Sequence, residues 1–255
     1  MDFSKYLQQI FTSSNKLILT IPFIFDNKLW HGFFKHKLVL ILSGLSAMVI
    51  SFSILKYMNG ALSFNGGNVA SQKLGAADIS NHLSFANLFD GGNKYLILIL
   101  IQMLVVHFSN KTIEILSGST IDMSVREMFG SQIRNIVVVI RNWIFELIVG
   151  VFISIIVGIF GPDWLVTTLK FIVGSYFIGF LFIDNYNYTF AIPVKDSSLI
   201  VRRHLGAAVV IGGVAKILFL LPVVGSILVS FICSVGATWY MHTSEDAQKA
   251  EMAFV

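Results

Sequence analysis

The sequence predicts an all-α polytopic membrane protein, and three observations carry that reading. Hydrophobic residues fill 55% of the 255 positions and charged residues only 13%. Mean hydropathy is +0.78, more apolar surface than a soluble domain of this length can hide. The charges also fall in short clusters between apolar runs of membrane length. The net charge of +4 is then the surplus that cytoplasmic loops carry. The lipid bilayer is the expected partner, and nucleic acid is not. Cys233 is the single cysteine and lies in an apolar run, which excludes a disulfide framework and a thiolate metal site.

The elements follow in order. Segment 1–37 reads as cytoplasmic and interfacial, because Phe3, Tyr6, Leu7, Ile10 and Phe11 recur at helical spacing with Lys5 and Gln8 between them. "TIPFIFDN" is a poor apolar core for a signal peptide. Segment 38–58 is long enough at about 1.5 Å per residue to cross a core of about 30 Å. Segment 59–94, with "NGGN" and little periodicity, reads as an external loop. A second spanning helix is expected over 95–117. It is apolar to Val106 and then carries His107, Asn110, Lys111 and Glu114, with His107 and Asn110 suited to interhelical hydrogen bonding.

Two apolar helical hairpins complete the chain. The first, 136–184, turns at "GPDW", where proline stops a helix. The second, 205–241, is split by Pro222 and Gly225 in "LLPVVG" into arms of roughly 17 residues, short enough for partial penetration of the bilayer. The expected architecture is therefore two long transmembrane helices and two hairpins in a single membrane domain, 1–255. Lys and Arg number five in 1–37, three in 111–135 and three in 185–204, against two in 59–94. The positive-inside rule places both termini in the cytoplasm.

Three groups of residues stand out. Gly32, Lys35 and Lys37 precede the first span. Free N–H groups at a helix start, a close backbone approach at glycine and two ammonium groups would hold an anion. The same residues with Trp30 also read as the basic and aromatic foot of a membrane helix, and the balance favours the foot. Glu146, Lys170 and Lys216 sit inside apolar stretches, where an unpaired charge costs at least about 2.5 kcal/mol. They are expected to face protein or water, with Glu146 paired to Lys170 or Lys216 in preference to Arg141 on its own helix. Asp184 ends the fourth apolar stretch and precedes Lys195, Arg202 and Arg203. Ion pairing of Asp184 with one of these at the cytoplasmic face is expected. No P-loop, HExxH, paired cysteines or GxSxG occurs, so neither an enzyme nor a cofactor is expected.

"FIDNYNYTF" at 182–190, "VRRHLGAA" at 201–208, the Pro222 break and "SVGATW" at 234–239 follow an order that resembles the CysZ-type sulfate-uptake proteins, as a divergent member. The resemblance implies two spanning helices with two partly penetrating hairpins, a homo-oligomer in the cell inner membrane, and passage of sulfate into the cytoplasm. It further implies that Gly32 is the bend entering the first span, with Phe33 in place of an aliphatic residue. Phe34 and Lys35 stand where the family carries two arginines. Lysine offers a point charge where arginine offers a bidentate fork. A non-transporting scaffold or accessory subunit of the same fold is the alternative.

Overall fold

The computed structural model describes residues 3–30, 92–121, 125–221 and 224–244. The expected first span 38–58, nearly all of the loop 59–94, the bend residues Gly32, Phe33, Lys35 and Lys37, and the Pro222 break lie outside the described residues. Seven helices, and no strand, occur among the described residues: α1 (Phe3–Asp26), α2 (Gly92–Ser117), α3 (Val125–Phe160), α4 (Asp163–Thr189), α5 (Val194–Arg203), α6 (Leu205–Leu218) and α7 (Val224–His242). Within them Gly130–Val157, Trp164–Thr189 and Val224–His242 are long and apolar enough to cross a membrane. With 14 residues, α6 reaches only about 21 Å, short of a core of about 30 Å.

Along α1 and α3 the polarity is inverted relative to a helix on the surface of a soluble protein. Ile133, Val137, Ile140, Val151 and Ile155 are exposed along α3, whereas Ser131, Asn135 and Asn142 on the same helix are buried. The first helix repeats the arrangement, with Phe11, Ile18 and Phe25 outward and Gln9, Ser13 and Thr20 inward. Apolar side chains facing outward and polar groups turned towards neighbouring helices suit a helix bundle in hydrocarbon, where no water is present to bond the polar groups.

At the centre is α4, packed against α3, α6, α7, α5 and α2. Small residues let it approach α6 closely. A Cβ built on Gly179 would strike the Ala208 backbone, and one on Gly212 would strike the Ser175 carbonyl. Ser175 with Gly179, and Ala208 with Gly212, thus form facing small-xxx-small pairs. Phe171 meets Lys216 further along the same interface. The two helices are therefore antiparallel, and the α3–α4 turn and the end of α6 share one end of the bundle.

Local sequence sets the breaks. Pro162 caps α4 with extended backbone, φ −72° and ψ 150°, as a residue without an N–H at a helix start does. After α4, Ala191 adopts φ 53°. Its N–H reaches the Tyr188 carbonyl at 2.8 Å and that of Ile192 reaches Asn187 at 3.1 Å, the paired bonds of a Schellman stop. Between α5 and α6 the chain bends by 92° at His204, whose Nδ1 lies 2.9 Å from the Tyr240 hydroxyl. From α1, the Gln9 amide bridges this bend. It donates to the Arg203 carbonyl at 2.5 Å and accepts from the Gly206 N–H at 3.0 Å.

Candidate functional site

A cavity of about 530 Å³ opens where α3, α4 and α6 meet, towards the end of the bundle that carries the α3–α4 turn. Its α3 wall is one helical face, Trp143, Glu146, Leu147, Gly150, Val151 and Ser154, and its α4 wall is another, Thr167, Lys170, Phe171 and Val173. Spacings of three and four residues bring these side chains onto single faces. Lys216 enters from the last turn of α6, where the exposed carbonyls of a helix end favour a cation. The three charged residues expected inside apolar stretches, Glu146, Lys170 and Lys216, are thus brought together around one opening.

Their geometry is asymmetric. The Lys216 ammonium donates to the Phe171 carbonyl at 3.2 Å and stands 4.8 Å from the centre of the Phe171 ring. Phe171 therefore offers the cation both a carbonyl and the negative face of an aromatic ring. Beneath it lies Gly174. A Cβ there would meet the Lys216 ammonium and, at 2.6 Å, Glu146 Oε1, so the two charged ends lie side by side on ground that only glycine leaves open. Lys170 is exposed, while Glu146 and Lys216 are half-buried. Two ammonium groups against one carboxylate give the cavity an excess of positive charge.

At the other end of the bundle Asp184 is buried at 5% exposure, and its partner corrects the expectation from sequence. Arg134 grips it with two bonds, Nε to Oδ2 at 3.1 Å and Nη2 to Oδ1 at 2.8 Å. The Ser197 hydroxyl donates to Oδ1 at 2.5 Å, and the Asn187 amide donates to Ser197 at 2.9 Å. Arg134 also donates to the Ile192 carbonyl at 2.5 Å, tying α3 to the turn after α4. Arg202 and Arg203 are exposed. The reason is helical phase: α5 buries Ser197 and Val201, which turns the next two residues outward. This cluster joins α3, α4 and α5 through bonds among its own members, and we read it as a structural clamp.

Other polar residues serve packing. Gln102 and Asn185 pair through their amides between α2 and α4, and the Thr189 hydroxyl donates to Asn110 Oδ1 at 3.1 Å. Among the described residues no group of three or more His, Cys, Asp or Glu is placed to hold a metal ion. Sequence reasoning found the three cavity charges but missed Gly174, Thr167 and Ser154. A three-and-four spacing of small and polar residues through an apolar run was the signal available for them. Compared with known family models, curated proteins and solved structures, the chain matches none.

Proposed function

We propose that this chain is a multi-pass protein of the cell inner membrane that passes a small inorganic oxyanion, of the sulfate class, across the bilayer, and that it works as a homo-oligomer with both termini in the cytoplasm. The observation that carries the reading is the cavity, where Lys170 and Lys216 outnumber Glu146 in a wall that is otherwise largely apolar. A cationic opening in a low-dielectric setting concentrates anions, and ammonium groups bind oxyanions as point charges. Gly32, Phe33, Lys35 and Lys37 form a second candidate anion-binding stretch in the sequence, on the cytoplasmic side, where the resemblance to sulfate-uptake proteins implies a bend at Gly32.

The second reading is a non-transporting scaffold or accessory subunit of the same fold. The closed α2–α7 interface favours it: the Ser109 and Thr238 hydroxyls bond to one another at 2.8 Å and Ser234 donates to the Val105 carbonyl at 2.8 Å. Radiolabelled sulfate uptake into proteoliposomes, with other oxyanions as competitors, separates the two. We expect saturable uptake that drops at least about tenfold in Lys216→Met, the loss of one favourable charge contact of about 1.4 kcal/mol. No uptake of any oxyanion by the unaltered protein would leave the scaffold reading.

A further inference from the structure

Within the cavity, the carboxylate of Glu146 occupies ground that an incoming oxyanion would need. Its Oε1 lies beside the Lys216 ammonium over Gly174, and Lys216 is anchored from its other side by the Phe171 carbonyl at 3.2 Å. An ammonium has three donors, and those turned away from Phe171 face the cavity and Glu146. A carboxylate and a tetrahedral oxyanion present the same chemistry to such a group, negatively charged oxygens at hydrogen-bonding distance. We propose that Glu146 is a resident stand-in ligand, which an entering oxyanion displaces from Lys216 while Lys170 closes on the anion from the mouth. This rests on the oxyanion reading and adds to it the residue that sets affinity.

The cavity has room for the exchange. At about 30 Å³ per water, its volume of about 530 Å³ holds an oxyanion, several waters and a retracted carboxylate. The glutamate side chain is long and unbranched, so it retreats by rotamer change with the backbone of α3 fixed.

Displacement has a signature that simple repulsion lacks. Removing a displaced carboxylate spares every anion the same fixed cost, to which its retreat leaves only a weakened repulsion to be added. Removing one that stays in place relieves a repulsion proportional to the charge of the anion. Sulfate and perchlorate are both tetrahedral and differ in charge, so they separate the cases. Full-length protein in neutral-lipid nanodiscs would be titrated with each ion by calorimetry, for the unaltered protein and for Glu146→Gln. The expected result is tighter binding of both ions in the variant, on the order of tenfold for perchlorate, with a gain for sulfate that on a logarithmic scale falls well short of twice that. A logarithmic gain for sulfate twice that for perchlorate, or no gain, overturns displacement.

A measurement on the unaltered protein stands beside the variant. Labelling of Glu146 by a hydrophobic carbodiimide, read by peptide mass spectrometry, should rise when sulfate is added. Protection of Glu146 by sulfate would overturn the proposal. Unaltered protein that binds neither ion removes the oxyanion reading and this inference together, whereas binding with the wrong Glu146→Gln response removes the inference alone. Repeating the sulfate titration with anionic lipid in the nanodiscs, at an ionic strength high enough to screen the surface potential, tests the source of the anion. Unchanged affinity supports a soluble ion, and loss of binding assigns the site to lipid headgroup phosphate and overturns a soluble substrate.

Discussion

At the scale of single residues, the Arg134–Asp184 pair shows why charge partners are hard to read from a membrane sequence. Chain proximity points from Asp184 to the cations that follow it, Lys195, Arg202 and Arg203, yet both arginines turn outward. Helical phase and the approach of α3 decide the outcome, and they bring Arg134 within 2.8 Å. Breaking a buried pair leaves an uncompensated charge and costs about 3–5 kcal/mol. Arg134→Ala should therefore lower the thermal unfolding temperature in detergent markedly, while Arg202→Ala should leave it nearly unchanged. A double-mutant cycle of Arg134→Ala with Asp184→Asn checks the pairing, since independent effects of the two changes would show that the contact is not the source of the loss.

At the scale of helices, α1, α2, α3, α4, α6 and α7 were legible in order, whereas α5 (Val194–Arg203) falls in a basic stretch that the sequence reads as a loop, and boundaries were displaced by inward-facing polar residues. A polar residue signals a loop when the solvent is water. In α3, however, Ser131, Asn135 and Asn142 are buried against neighbouring helices, and the helix begins at Val125, well before the apolar stretch at 136. Asn185 and Asn187, buried, likewise carry α4 on to Thr189 beyond the apolar limit at 184. The cavity charges were legible for the opposite reason, because a charge in an apolar run is conspicuous. The α4–α6 contact was not legible, because its small residues fall on two helices and meet only in three dimensions. Gly212→Ala tests that contact. Its Cβ would meet the rigid backbone of Ser175 and Gly179, so the helices must part, at a cost of about 1–3 kcal/mol for overpacking. Gly213→Ala, where the nearest atom to a Cβ is Ser175 Oγ at 3.9 Å, should unfold at nearly the temperature of the unaltered protein. Equal loss in both variants would argue against close α4–α6 packing.

At the scale of the whole molecule, the two ends of the bundle differ in kind, and this yields a test of orientation. One end holds the turn at Gly161 and Pro162, the end of α6 and the cavity. The other holds the Arg134–Asp184 clamp and the amphipathic α5 with Lys195, Arg202 and Arg203. Positive charge is retained on the cytoplasmic side, so the clamp end should face the cytoplasm and the turn end the outside. Cys233 is fully buried and the only cysteine in the chain, which leaves a quiet background for introduced thiols. In intact spheroplasts a membrane-impermeant maleimide should label Trp164→Cys, at a position 67% exposed beside the turn, directly and Lys195→Cys only after permeabilisation. Direct labelling of Lys195→Cys would reverse the orientation and with it the side from which an anion reaches Lys170 and Lys216.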